Sequence, residues 1–331
     1  MKNDIDVTAL GELLIDFTEN GLSNQKNSLF EANPGGAPCN VLAMLTKLGK
    51  NTAFIGKVGD DFFGASLKKE LESIGINTKN LLKDKAAPTT LAFVHNYAGG
   101  DREFSFYRNP GADMLLKKEE ICTEMIAISR IFHFGTLSFT GNDSKEATCF
   151  AVECAKKKNK IISFDPNVRK ALWNSDNEIK QAMDYGMKHC DILKISDDEI
   201  LFHTGMSNYD KAVEKIQSKY EIPLICVTLG KEGSLAYYGS IRSFAEPYIQ
   251  TGTMETTGAG DTFMGCILNY VLENGLKGLD KSQLHNMLNF ANAAASIITT
   301  RRGALKVMPE QSEIEELLYK KVPKKGGCQG F

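Results

Sequence analysis

The chain has 331 residues, 42% of them hydrophobic and 24% charged, ordinary values for a globular protein of one large domain with an appendage; a disordered or fibrous chain is excluded. Lys and Arg number 39 against 41 Asp and Glu, leaving a net charge of −2 and no basic excess to track a phosphate backbone, so nucleic acid is not an expected partner. The polar start Met1–Asp6 leads into no apolar leader, no stretch approaches the ~18 apolar residues of a membrane span, and the eight cysteines form no Cys-x-x-Cys pair; the expectation is a reduced cytoplasmic protein without a membrane or zinc partner.

Along the chain, short apolar runs alternate with helical patterns. Strands are expected at Val7–Leu14 and Ala53–Gly56, with a helix between them over Pro38–Leu48 that Gly49 closes. Further strands are expected at Ile131–Phe134, Ile161–Asp165, Ile192–Ile195 and Leu224–Thr228, interleaved with amphipathic stretches at Ser144–Lys158, Asn177–His189 and Asp210–Lys219. This rhythm predicts a mainly parallel sheet covered by helices. Two segments, Asp16–Asn33 and Thr89–Arg108, lack helical periodicity, and the second reads as a hairpin about a Gly-rich turn. They predict a small inserted β sheet. The basic end from Lys320 reads as a frayed terminus.

Two glycine clusters carry chemistry. Thr257-Gly258-Ala259-Gly260-Asp261 leads into a segment after Asp261 that reads as a helix, with Phe263, Met264 and Ile267 on it, so the N–H groups at its start and the helix dipole favour an anion. Asp261 at that end can cap the helix or take a proton from a hydroxyl attacking a phosphate. Asn33-Pro34-Gly35-Gly36-Ala37-Pro38-Cys39-Asn40 runs into the first helix, letting a polar ligand approach the backbone beside Asn40. Each cluster has a plain alternative: a Gly-rich turn with an Asp cap, and a loop with a proline-started helix. No Gly-x-x-x-x-Gly-Lys-[Ser/Thr] is present, and Gly56-Lys57-Val58-Gly59 lacks the dinucleotide spacing.

Together with Gly11–Phe17, Gly56–Gly64, Phe104–Arg108, Asp165–Arg169, Ser196–Glu199 and Thr228–Gly233, these clusters resemble the ribokinase, or PfkB, family of carbohydrate kinases over residues 5 to 310. Within it, Glu103–Arg108 and Asp165–Arg169 with Leu172-Trp173 look most like bacterial fructokinases, with 2-keto-3-deoxygluconate kinases as near neighbours. The resemblance implies a ribokinase-like three-layer α/β/α domain (1–13, 35–88 and 110–320), a β-sheet lid (14–34 and 89–109) and a flexible tail (321–331). It implies Asp261 as general base, and Gly258, Ala259 and Gly260 as an anion hole. Asp16, Gly35, Gly36, Asn40, Arg108 and Arg169 would meet the sugar, or, for the two arginines, the phosphate path. Ser196, Thr228, Gly230, Gly233 and Asn292 would meet ATP, with Ser196 standing where the family has Asn, and Glu199 would organise Mg2+ through water. Glu255, where the family usually has Asp, would join Thr257, Arg301 and Gly303 at a potassium site. The expected reaction is ATP-dependent phosphorylation of a sugar primary hydroxyl, and the apolar lid face, with Phe93 and Phe106, is expected to form a homodimer. A non-catalytic sugar-binding regulator on the same fold would have lost the base or the Gly-Ala-Gly loop; both are present.

Overall fold

The structure, a computed structural model, describes residues 4–96 and 102–321. Strand β1 (Ile5–Leu10) stops short of Leu14 because Gly11 packs on Pro38, where a Cβ would meet Pro38 Cγ at 2.6 Å. The chain turns through Glu12 and starts a second sheet with β2 (Leu14–Leu22) and β3 (Ser28–Gly35). Helix α1 (Ala37–Lys47) carries Pro38 in its first turn, where a missing N–H costs nothing. Gly49 stands one place beyond the C-cap Leu48 at φ 78°, donating to Thr46 O at 2.9 Å while Lys50 N donates to Leu45 O at 3.0 Å.

β4 (Thr52–Gly59), α2 (Phe62–Ile74) and β5 (Asn77–Asp84) extend the main sheet, with Asp61 capping α2 through Gly64 N at 2.8 Å. β6 (Leu91–Asn96) and β7 (Arg102–Tyr107) return to the second sheet. The remainder alternates α3 (Thr123–Ala127), β8 (Ser129–Phe134), α4 (Asn142–Lys157), β9 (Ile161–Phe164), α5 (Asp176–His189), β10 (Ile192–Ser196), α6 (Asp197–Thr204), α7 (Tyr209–Lys219) and β11 (Leu224–Thr228). The hairpin β12 (Ser234–Tyr238) and β13 (Ile241–Ala245) then leads to α8 (Ala259–Asn274), α9 (Lys281–Ile298) and α10 (Gln311–Lys321).

The main sheet has nine strands in the order β13-β12-β11-β10-β9-β8-β1-β4-β5, parallel except for the β12 and β13 edge. Helices cover both faces: one apolar core includes α1, α8 and α9, the other α4, α5 and α7. Winding runs outward from β1 through β4 and β5 on one side and through β8 to β11 on the other. The crevice at the carboxyl ends of the strands therefore opens near the β1/β8 junction, where open α/β sheets take their ligands.

The second sheet has the order β3-β2-β6-β7. Asp16, Ala92 and Phe106 are in register, and Phe17, Phe93 and Ser105 form the next row, so the two rows point to opposite faces. This corrects the expectation that Phe93 and Phe106 share one exposed face. Phe93 stacks on Phe17 at 4.9 Å and meets Phe30 and Tyr107 edge-on, whereas Phe106 faces the main domain. The turn of the β6–β7 hairpin and the basic tail beyond Lys321 lie outside the described residues. Among those described, no helix is long and apolar enough to cross a membrane.

Candidate active site

The second sheet roofs a cavity of about 340 Å³ whose floor is made by the ends of β1, β9 and β10 and the first turn of α8. α8 starts at Ala259, earlier than the sequence suggests, with Gly258 as its N-cap at φ 77°. A Cβ on Gly258 would meet Ala304 Cβ at 2.6 Å, so a close approach and a positive φ both require glycine there. Asp261 is therefore not the cap; it lies inside the first turn. The first helical bond, Thr262 N to Gly258 O at 2.8 Å, leaves the N–H groups of Gly260 and Asp261 at the open helix end, where the dipole favours negative charge.

Asp261 is buried, and its Oδ2 accepts a hydrogen bond from Asn40 Nδ2 at 2.8 Å, joining the first turns of α8 and α1. Burial pushes its carboxyl above the usual range, while the Asn40 bond and the nearby Lys194 and Arg169 cations pull it back. A carboxylate so placed can accept a proton beside a group of N–H donors that stabilise an anion. Asn40 Oδ1 is buried without a hydrogen-bond partner, an acceptor left for a ligand donor.

From the roof, Asp16 lines the same cavity, and its carboxyl is pushed up to about 7 by burial and by the Glu255 and Asp261 charges, against Arg169. Gly35 makes its room: a Cβ there would lie 2.3 Å from Asp16 Oδ2. Gly36, at φ 122°, stands where a Cβ would strike Glu12 O at 2.4 Å. Glu12 itself lines the cavity and accepts from Ala37 N at 2.8 Å, with burial raising it to about 7. Sequence reasoning missed Glu12, Phe106 and Leu137 as cavity residues; the signal for Glu12 was a lone carboxylate between the apolar runs of β1 and β2, and only the fold brings it to the N-terminus of α1.

On the opposite side, Asn167 and Arg169 line both this cavity and a neighbouring cleft that contains Ser196 and Glu199. Ser196 and Glu199 form a capping box on α6: Glu199 N donates to Ser196 Oγ at 3.3 Å and Ser196 N to Glu199 Oε2 at 2.9 Å. Glu199 Oε1 also accepts from Val168 N at 2.8 Å, tying the β9 loop to α6. Lys194, another residue that sequence reasoning missed, also lines both spaces. Its signal was a charge inside the apolar run Ile192-Leu193-Lys194-Ile195.

Thr228 ends β11, and Gly230 and Gly233 follow at φ 54° and 102°. A Cβ on Gly233 would meet Ala245 O at 2.3 Å, so this loop is held tightly against β13. Asn292 spends its amide locally, donating to Ala245 O and Glu246 O at 3.2 and 3.1 Å and accepting from Ser234 Oγ at 2.9 Å. Glu255 is buried and accepts from Gly303 N at 3.2 Å, which brings those two together; Thr257 lines the cavity, and the Arg301 side chain turns to Val307 O and Glu313.

Arg108 departs from its expected place. It does not line the cavity; it is buried and bound through Nε and Nη2 to Asp113 Oδ2 at 2.8 and 2.6 Å, and through Nη1 to Thr140 Oγ1 at 2.6 Å. A buried guanidinium needs a fixed counter-charge, and Asp113 supplies it.

Comparison with known proteins agrees with this geometry. Residues 4–311 match the model of the pfkB family carbohydrate kinases. Fructokinase-1 of Zea mays is 38% identical over 316 residues, covering 95% of this chain and 98% of that one. The crystal structure of a fructokinase with bound ATP from Xylella fastidiosa superposes with a TM-score of 0.86 at 27% identity, covering 95% and 98% of the two chains. A double-mutant fructokinase from Vibrio cholerae O395, in a form bound to fructose, ADP and potassium ion, gives 0.85 at 26% identity, covering 96% and 99%. The chain belongs to the pfkB family of carbohydrate kinases and is an ATP-dependent sugar kinase.

Proposed function

We propose that the protein is a fructokinase, converting fructose to fructose 6-phosphate at the expense of ATP. The observation that carries this reading is the buried Asn40–Asp261 pair at the open end of α8, facing Asp16 across one cavity. Asp16 accepts from sugar hydroxyls, Asn40 and the Gly35-Gly36 turn hold the ring, and Asp261 takes the proton of the primary hydroxyl. The new bond runs from that oxygen to the γ-phosphorus; the bond to the leaving oxygen breaks, and its electron pair departs with ADP. Of the expected anion hole of Gly258, Ala259 and Gly260, Ala259 N is turned to Thr256 O at 3.3 Å, and the turn offers the transferred group the N–H groups of Gly260 and Asp261, placement and charge stabilisation being most of what phosphoryl transfer asks of a protein.

ATP enters from the cleft of Ser196 and past Thr228, Gly230 and Gly233, with Asn292 shaping the loop behind them. Among the described residues no cluster of three or more His, Cys, Asp or Glu side chains could form a metal cage, which fits Mg2+ arriving on the nucleotide phosphates with its own waters. Both Glu199 oxygens already accept backbone N–H groups, so its remaining lone pairs suit a metal-bound water rather than the ion. Mg2+ neutralises polyphosphate charge when bound. Glu255, Thr257, Arg301 and Gly303 form the potassium site of this reading; turnover unchanged on replacing potassium by a large organic cation removes it.

A 2-keto-3-deoxygluconate kinase needs cations for a substrate carboxylate. Of the two candidate arginines, Arg169 lines the cavity and Arg108 is spent on Asp113, which leaves one arginine where that reading looked for two. We place the protein in the cytoplasm, in keeping with seven free cysteines among the described residues, and place a homodimer contact on the Phe93 face of the lid. Coupled ADP release across fructose, 2-keto-3-deoxygluconate, ribose, mannose and adenosine tests the substrate: fructose is expected to give the highest kcat/KM, and a higher value for another compound overturns the assignment.

A further inference from the structure

Lys194 has no part in the proton transfer to Asp261, although it lines the cavity. Lys194 lies in β10 between Leu193 and Ile195, strand residues with no solvent exposure, and is itself buried. An ammonium in such a place is expensive unless paired. Asp165, from the end of β9, pairs with it, with Nζ 3.1 Å from Oδ1 and 3.0 Å from Oδ2. An ion pair alone explains how the charge is tolerated, but not why it sits where it does.

Two observations address its position. Lys194 lines both the sugar cavity and the cleft of Ser196 and Glu199, so it stands where the two spaces meet. A Cβ on Gly260 would lie 3.0 Å from Lys194 Nζ, which puts the ammonium against the helix turn that presents the N–H groups of Gly260 and Asp261. Asp165 first, then Glu199 and Asp261, hold the ammonium protonated against the cost of burial. Burial, aided by that charge, keeps His133 neutral on β8, two strands away across β9, its pKa pushed down to about 3.

We infer that Lys194 is a catalytic residue of the transfer, its ammonium donating to the phosphoryl group in flight beside the α8 N–H groups. The inference rests on the kinase reading above. As the sugar oxygen bonds to phosphorus and ADP leaves with its electron pair, the hydroxyl proton passes to Asp261. Lys194 keeps its own proton and turns donors from Asp165 toward the phosphoryl oxygens. Its charge then serves the transition state, where negative charge spreads over those oxygens, and Asp165 shields it between turnovers.

The test compares Lys194→Met and Lys194→Arg with the native chain, using whichever sugar the native chain phosphorylates; a native chain inactive on fructose counts against the substrate assignment, not against Lys194. The methionine variant should lose ~10²–10³-fold in kcat, the size of one lost transition-state donor, with the sugar KM within about threefold. The arginine variant should recover at least about tenfold over methionine. A packing role would instead raise KM or lower folding without separating the two variants. A kcat for Lys194→Met within about threefold of native overturns the inference. If the methionine variant does not fold, the native chain labelled with 15N-lysine answers directly. In a complex with ADP, the sugar and magnesium trifluoride, a planar mimic of the transferring group, a lysine ammonium should show 19F–15N coupling. Lys194 is the lysine that lines the sugar cavity, so absence of coupling overturns the inference equally.

Discussion

Lys194 in β10 and Asp16 in β2 both carry a charge-bearing side chain into the same cavity, and the sheets around them treat it differently. Lys194 belongs to a strand buried on both faces, and its counter-charge, Asp165, is provided by the protein at 3.0 Å. Asp16 belongs to a sheet with one face on the cavity and an outer strand largely exposed, and Gly35 leaves room beside it rather than a partner. The main sheet pairs its charge before any substrate arrives; the lid leaves its carboxyl for the hydroxyls of the substrate to meet. Changes on the main sheet should therefore fall on kcat, and changes on the lid on the sugar KM.

The largest effect should come from Asp261→Asn, which keeps a partner for Asn40 but removes the base: steady-state assays should show kcat lower by ~10²-fold or more, with sugar and ATP still bound in calorimetry. Near-normal kcat would break the main-sheet half of the comparison. Next, Asp16→Asn should raise the sugar KM by ~10–100-fold, the worth of hydrogen bonds to a charged acceptor, with a smaller change in kcat. A kcat loss at constant KM would assign Asp16 to the chemistry instead. Phe106→Ala, which opens the roof, should raise the sugar KM several-fold, roughly the worth of a partly buried aromatic face, and leave the KM for ATP unchanged.

The smallest effect is one of stability. Asp16 has a folded pKa raised to about 7, so between the ordinary carboxylate value of ~3.9 and about 7 the folded state binds the extra proton, and its contribution to stability falls as pH rises through that window. Asp16→Asn should therefore raise the melting temperature at pH 8 relative to native, and the gain should shrink toward pH 5. Kinase activity should move the other way. Asp261 must be ionised, its pKa is raised by burial, and kcat should fall on acidification at a pH above the ordinary carboxylate range. A Tm difference constant with pH would show that Asp16 titrates in the folded chain as it does in water.

Much of the main sheet was legible because buried parallel strands write themselves as apolar runs; Leu224–Thr228 matches its strand to the residue. The β12–β13 edge and β5 were not, since a charged, half-exposed strand such as Asn77–Asp84 carries no such run. Asp261 and Asn40 were legible through their glycines, and Asp16 only through the family resemblance of Gly11–Phe17. Glu12 and Lys194 were not. They lie far apart in sequence from the groups they meet, and only the sheet order brings β1 and β10 to one crevice. Arg108 was misjudged for the converse reason: its partner Asp113 is near in sequence, but nothing in the pattern says that the pair is buried.

That pair has a mechanical meaning. Asp113 takes Thr90 Oγ1 on one oxygen at 2.6 Å and Arg108 on the other, and these residues stand just before β6 and just after β7. Both ends of the β6–β7 hairpin are thus fastened to a single carboxylate in the main domain. This fastening, with the Phe17–Phe63 contact to α2, holds Phe106 over the cavity and Asp16 on the strand bonded beside the hairpin. The arginine expected to grip the sugar is thus the clasp of the cover above it: it sets where the roof sits rather than what the roof holds.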